Sequence, residues 1–524
     1  MPTLNWIGKD KVINHHNEVP FRTLEKRYHF GEDDGNMVIH GDNLEALKAL
    51  LPRYEGEVKC IYIDPPYNTG EEGWVYSDRL SAPEIKNWLQ SVVGKEGEDL
   101  SRHDKWLCMM YPRLQLLQEL LSDDGAIFIS IDDNELYNLK LICDEIFSSH
   151  NYVSTFVWEK RLNRENRKEV SSRHDYILCY AKNKKEKQRT LKLMKMSGEA
   201  LKRYQNPDND PRGPWKSDPV TAQAGHATKN QFYTLVTPNG KKHTLPAGRC
   251  WLYTKEKMEN EIAEGRIWLG KDGNNTPRKK TYLYEKDRGL TPESILFAQD
   301  VSTNELAKNE LKGIFPETVP FTTPKPHQLV EVLLRLITDK NSLILDSFAG
   351  SGTTAHAVLN MNKADGGNRK FILIEMMDYA EDITAERVRR VIDGYGKGKK
   401  AVKGTGGGFG YYELGDRLFL EDGNINPKID TEKIREYLWF SETRKSYVTP
   451  ENSEPFLLGI WNDIAYYLFY DGKEAMALDI DTLAEIQTRA GAYVIYAETC
   501  MLSDRMLLKY NMTFKKFPRD IVRL

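Results

Sequence analysis

Long apolar runs, paired cysteines and a strong net charge are all missing from this 524-residue sequence. No run of about 18 apolar residues occurs, so no membrane-spanning helix is expected. The opening MPTLNWIGKDKVINHH lacks the apolar stretch of a signal peptide. Six cysteines (Cys60, Cys108, Cys143, Cys179, Cys250 and Cys500) are scattered without a CxxC or a paired Cys/His spacing. That argues against zinc sites and disulfides, and predicts thiols in a reducing cytoplasm. A net charge of −3 does not mark a nucleic-acid binder, but its distribution does. Residues 160–203 carry 15 Lys/Arg against 5 Asp/Glu. A solvated helical face is the plainer origin of such a run; inside a slightly acidic chain it suits a phosphate-facing surface.

What is present is an α/β rhythm. NMVIHGD reads as a strand and NLEALKALLPRY as the helix after it. VKCIYID, WLCMMYPRLQLLQELLSDDG, AIFISID and NELYNLKLICDEIF continue the alternation to about residue 160. Turn dipeptides, isolated aromatics and basic residues then break it until 317. It returns with HQLVEVLLRLIT, NSLILDSF, GTTAHAVLNMN, RKFILIE and EDITAERVRRVI. Short apolar strands between helices predict a parallel, doubly wound sheet written in two pieces. The length predicts two or three domains.

Two motifs end strands of that sheet. In LILDSFAGSGTTAHAV, Gly350 and Gly352 let backbone approach a ligand, and the following helix offers free N–H groups. Glu375, closing RKFILIE, stands where an acid accepts from ribose hydroxyls. No GK[ST] follows the glycines, so a P-loop is disfavoured. A ligand-free structural turn, an NAD site and an S-adenosylmethionine site all fit this motif alone.

The other motif is IYIDPPYNTG. Asp64 and the Pro65 carbonyl are two acceptors, Pro65 and Pro66 hold the chain open, and Tyr67 supplies a flat face. Two acceptors beside an aromatic face make a clamp for an amino group on a heterocyclic base. Hydrogen bonds to both N–H groups turn the nitrogen lone pair toward an electrophile, and the acid stabilises the positive charge that develops. In duplex DNA that base must first be rotated out of the stack. The plainer alternative is a proline-stiffened turn.

DPPY ahead of FAGSGTT, with a long insertion between them, resembles the DNA amino-methyltransferases of the β order. GGNRKFILIE, NPDNDPRGPW, EGRIWLGKDG and LWFSET are similar to the modification (Mod) subunit of type III restriction-modification systems or a solitary relative. The resemblance implies a circularly permuted Rossmann-like methyltransferase sheet with an inserted target-recognition domain and a C-terminal α+β domain. It implies a core over 1–160 and 318–412, target recognition over 161–317, and dimerisation or partner docking over 413–524. The implied activity is S-adenosylmethionine-dependent methylation of adenine N6 in double-stranded DNA. Asp64, Pro65, Pro66 and Tyr67 match the catalytic motif. Asp346, Phe348, Gly350 and Gly352 match the cofactor loop, Glu375 the ribose-binding acid, and Asp42 the strand-end acid near the cofactor's adenine. Lys325, in FTTPKPHQL, matches the segment lining the methionine end; a helix-entry role for its prolines is the plainer one. A homodimer and a nuclease partner are implied, and no membrane or metal.

Cytosine N4 methylation is the near alternative. An RNA methyltransferase, a non-catalytic DNA-specificity subunit and an NAD-dependent oxidoreductase are the others; the last leaves DPPY and the basic segment idle. His103, His174, His243 and His327 show no metal spacing, and Trp215, Trp251 and Trp268 are expected to pack rather than stack on bases.

Overall fold

The computed structural model describes residues 3–32, 35–69, 102–166, 169–196, 198–285, 289–317, 321, 323–450, 454–472 and 474–522. Gly70 of the IYIDPPYNTG motif and Thr322 of FTTPKPHQL lie outside them, as do residues 71–101.

Ten strands form one mixed sheet: β1 (Arg22–Gly31), β2 (Met37–His40), β3 (Val58–Ile63), β4 (Leu121–Ile131), β5 (Tyr152–Glu159), β6 (His174–Ala181), β7 (Ile295–Leu296), β8 (Leu343–Asp346), β9 (Lys370–Glu375) and β10 (Gly408–Arg417). Their spatial order is β1-β10-β2-β9-β8-β3-β4-β6-β5-β7. The six from β10 to β4 run parallel. β1 and β6 flank them antiparallel. Strands buried on both faces need apolar residues throughout: Cys60, Ile61 and Ile63 of β3 and Phe371 to Ile374 of β9 are fully enclosed.

Helices cover the sheet. α1 (Asn43–Tyr54) begins at Asp42, whose Oδ1 accepts from Leu44 N at 2.8 Å and Glu45 N at 3.2 Å. It buries Leu44, Leu47, Leu50 and Leu51 at helical spacing. α2 (Arg102–Leu120) leads from β3 to its neighbour β4, and α3 (Leu136–Ile146) follows β4. α4 (Asn304–Ile314) and α5 (His327–Arg335) precede β8. α6 (Thr353–Asp365) carries the chain from β8 to β9, and α7 (Glu386–Asp393) follows. The winding therefore moves one way from β3 and the other way from β8. In such a sheet the crevice between the carboxyl ends of those two strands is where ligands bind.

Strand pairing and compact packing divide the chain at other residues than the sequence reading does. β6 and β7 pair within the large sheet, so the separately packed unit covers 192–292 rather than 161–317. Its small core comprises Val220, Leu235, Trp251, Met258 and Ile267. The basic block of 160–203 is thus shared between the sheet and this unit, because β6 carries buried Ile177 and Leu178 amid the charges. Likewise β10 pairs with both β1 and β2 across residue 412, so the C-terminal portion starts after 417. It holds α8 (Thr431–Thr443) and a four-stranded sheet of β11 (Leu457–Trp461), β12 (Ile464–Leu468), β13 (Ala492–Ala497) and β14 (Met512–Lys516). All six cysteines are free, five of them buried.

Candidate active site

Cys60 and Ile61 of β3 pair with Ile344 and Leu345 of β8. Asp64-Pro65-Pro66-Tyr67 and the glycine turn therefore leave the sheet side by side, although some 280 residues separate them. Asp64 is bound by Lys325, whose Nζ donates to Oδ1 at 2.7 Å and Oδ2 at 2.6 Å. The same ammonium lies 4.9 Å from the Tyr67 ring centre, over its face. The sequence assigned Lys325 to the cofactor; its observed partners are the acid and the ring of the DPPY motif. The Tyr67 ring packs on the main core, with its hydroxyl buried close to Asp64. Burial and the Asp64 charge push the phenol well above its ordinary range.

The turn is fixed from below. Trp106 Nε1 on α2 donates to the Pro66 carbonyl at 2.6 Å. Asn68 takes a left-handed φ of 56°. Its side-chain amide donates to the Arg102 carbonyl at 3.2 Å and to Glu135. Glu135, fully buried, also bonds His103 Nδ1 at 2.6 Å and accepts from Asn138 at 2.7 Å. Sequence reasoning missed Glu135 and Trp106. The acid in IDDNELY looks like an ordinary helix-entry residue, and a tryptophan in an apolar helix looks like core.

Gly350 and Gly352 have φ of 54° and 80°, a region where side chains are strained. A Cβ on Gly352 would lie 3.0 Å from the Thr384 carbonyl oxygen. Thr384 Oγ1 in turn donates to the Gly350 carbonyl at 2.5 Å. Beneath the turn, Arg387 donates to Ser351 Oγ and Thr353 Oγ1, each at 2.8 Å. Asp346 accepts from Phe348 N at 3.0 Å and Thr354 Oγ1 at 2.5 Å, while Phe348 packs on the core. Glu375 accepts from Gly350 N at 2.8 Å and Met377 N at 3.0 Å. Burial pushes the Asp346 and Glu375 carboxyls up to about 7. Asp42 caps α1 with one oxygen and lies 3.5 Å from buried Arg113 with the other. Thus Asp346 and Glu375 bond backbone N–H groups of the glycine turn, at Phe348 and Gly350, whereas Asp42 bonds the first turn of α1.

Lys325, Asp64, Phe348, Gly350 and Ser351 line one cleft. Nearby on β6, Asp175 is buried against Lys160, 2.5 Å away, and burial raises its carboxyl to about 6.

Glu310, His327 and His356 converge closely enough to hold a metal ion, a grouping the sequence spacing did not show. Their atoms are already engaged. His327 bonds Glu310 and Glu331, each at 2.9 Å. Burial opposes charge on its ring, but the two glutamates outweigh it and raise the group to about 9. A charged ring donates from both nitrogens and coordinates nothing. Arg387 donates to His356 Nδ1 at 3.2 Å, completing a charge-balanced cluster behind α6.

In the 192–292 unit, Trp215 bonds Asp208 at 2.9 Å and packs 5.4 Å from Trp268. Trp251 bonds the Tyr233 carbonyl at 2.8 Å. Trp215 and Trp251 are buried, as expected of packing residues.

A family model described as a DNA methylase matches residues 58–386. The Mod subunit of the type III restriction-modification enzyme StyLTI of Salmonella typhimurium is 39% identical over 350 residues, covering 64% of this chain and 52% of that protein. The EcoP15I Mod subunit of Escherichia coli is 33% identical over 431 residues, with coverages of 72% and 65%. The type II methyltransferase M.KpnI of Klebsiella pneumoniae is 29% identical over 402 residues, with coverages of 69% and 89%. The chain therefore spans between 52% and 65% of the length of these two type III relatives.

Proposed function

The chain belongs to the DNA methylase family, and on that premise we propose that it methylates adenine N6 in duplex DNA with S-adenosylmethionine as donor. One observation carries the proposal: the acid and ring of DPPY and the glycine turn sit at the carboxyl ends of adjacent parallel strands.

The residues present fit the donor. A Cβ on Gly352 would crowd the Thr384 carbonyl oxygen at 3.0 Å, and the buried Ser347 hydroxyl has no partner among the described residues. Gly350, Ser351, Phe348 and Glu375 would hold its nucleoside and Lys325 its carboxylate. Bound there, the donor supplies an electrophilic methyl group on a sulfonium whose sulfur leaves with the bonding pair.

The chain's own groups do the rest. Asp64 accepts one N–H of the target amine, and the Pro65 carbonyl, to which no other described residue donates, would accept the second. Tyr67 stacks on the ring and recovers part of the unstacking cost, a few kcal/mol. Asp64 stabilises the charge growing on nitrogen; most of the acceleration is positioning. The DPPY order favours adenine over cytosine N4.

The 192–292 unit reads the DNA. It holds 19 Lys/Arg against 11 Asp/Glu in a chain whose net charge is −3, the balance a phosphate-binding surface needs. Likeness to Mod subunits of type III restriction-modification enzymes supports a modification role beside a restriction subunit; a homodimer and a cytoplasmic setting belong to the same proposal. Among the described residues no helix is long and apolar enough to cross a membrane.

Nucleoside mass spectrometry of genomic DNA from a methylation-free host tests this. N6-methyladenine is expected with the intact chain and not with Asp64→Asn. N4-methylcytosine would move the substrate to cytosine, and the absence of both methylated nucleosides would overturn the proposal.

A further inference from the structure

The Lys325 ammonium is the internal occupant of the amine clamp. It sits 2.6 and 2.7 Å from the two Asp64 oxygens and over the Tyr67 face. A nitrogen bearing N–H donors, held by that carboxylate against that ring, is also what an exocyclic amine presents. The two compete for one place, because the ammonium lies over the Tyr67 face on which the base would stack.

Displacing Lys325 has a physical requirement. The residue is 9% exposed, and a buried ammonium stripped of its counter-charge is strongly disfavoured. Its carbonyl accepts from Thr353 Oγ1 at 3.2 Å, so the swing required is one of the side chain about a tethered backbone. The neighbouring acids do not offer a ready alternative. Asp346 is bonded to Phe348 N and Thr354 Oγ1, and Asp175 is paired with Lys160. The replacement anion has to arrive with a ligand in the cleft that Lys325 shares with Gly350 and Ser351.

We propose that Lys325 is a positioning residue coupling the two halves of the site: it holds Asp64 until the carboxylate of the methyl donor takes its charge, and so admits the base only after the donor. This rests on the donor assignment made above. It makes Asp64 a competitor of the donor's carboxylate for one ammonium, although Asp64 itself need not touch the donor.

Titration calorimetry with S-adenosylhomocysteine and 5′-methylthioadenosine tests it without any knowledge of the recognition sequence. The second ligand keeps the nucleoside and lacks the aminocarboxylate. Asp64→Asn is expected to bind S-adenosylhomocysteine about tenfold tighter than the intact protein, as loss of a largely buried ion pair allows, and to bind methylthioadenosine unchanged. Lys325→Gln should weaken S-adenosylhomocysteine by a similar factor, again sparing methylthioadenosine. In the double variant the gain from Asp64→Asn should vanish. Asp64→Ala repeats the comparison should the asparagine variant misfold. Equal S-adenosylhomocysteine affinity in the intact and Asp64-substituted proteins would overturn the coupling alone. Failure of the intact protein to bind either ligand would overturn the donor assignment with it.

Discussion

The backbone N–H of Gly350 donates to Oε2 of Glu375 across 2.8 Å, so the acid ending one strand holds the glycine turn that follows its neighbour. Glu375→Gln keeps the shape but replaces one acceptor oxygen by an amide donor, leaving a buried N–H opposed. S-adenosylhomocysteine affinity should fall at least about tenfold with the fold intact by circular dichroism. Unchanged affinity would mean that the glycine backbone alone sets the turn.

Asp346, Glu375 and His327 make the stability of the ligand-free protein fall as pH rises, while His16 and His356, kept uncharged by burial, oppose that trend below about pH 6.5. Asp346 and Glu375 are raised to about 7 by burial. Each stabilises the fold below its ordinary value, and that stability is lost as pH rises through about 7. His327, raised to about 9 against the effect of burial by Glu310 and Glu331, contributes stability fully present below its ordinary 6.5 and lost toward 9. Denaturant unfolding should show stability falling from about pH 7 to 9 by a few kcal/mol. His327→Gln should flatten the alkaline limb; a limb that persists would mean the ring is not charged.

Glu135→Ala would strand the side chains of Asn68, His103 and Asn138 around a buried hole. A loss of about 3 kcal/mol in unfolding free energy is expected, with kcat falling more than the KM for DNA rises, since the displaced element is the reacting turn and not the DNA surface. Glu135→Gln, which can accept from only one oxygen, should fall between. A variant with normal kcat would detach Glu135 from the geometry of Asp64 and Tyr67.

Removing 192–292 and joining the flanks by a short Gly/Ser linker should leave S-adenosylhomocysteine binding intact and abolish most DNA binding. The logarithmic salt dependence of DNA affinity should drop by several units, in proportion to the phosphates that the shortened chain no longer neutralises. A salt dependence equal to that of the intact chain would place the DNA surface elsewhere.

Some of this was legible in the sequence and some was not, for reasons that differ by residue. IYIDPPY and LILDSFAGSG each announce a strand end by an apolar run broken by Pro or Gly, so the parallel sheet and its two motifs could be read locally. Their adjacency could be expected only from a resemblance, because pairing of Ile61 with Leu345 is nowhere encoded in short-range pattern. Asp42, Asp346 and Glu375 were found as strand-end acids, yet their bonds to turn backbone depend on how the loop closes. Lys325 on Asp64 and Glu135 on Asn68 are meetings of residues 261 and 67 apart, which periodicity does not report. The insertion was drawn too wide because charge in 160–203 masked the buried strand β6.

The placement of β8 and β9 between β2 and β3 bears on how the protein is made. On a ribosome the first strands emerge long before the ones that will separate them, and β3 must wait for about 280 residues of synthesis to gain its partner β8. Until then its apolar edge is open to wrong pairing, a hazard typical of late, non-local contacts. On the function proposed above, the same delay is protective: a truncated translation product would carry the base clamp without the donor cleft, and would have nothing to transfer.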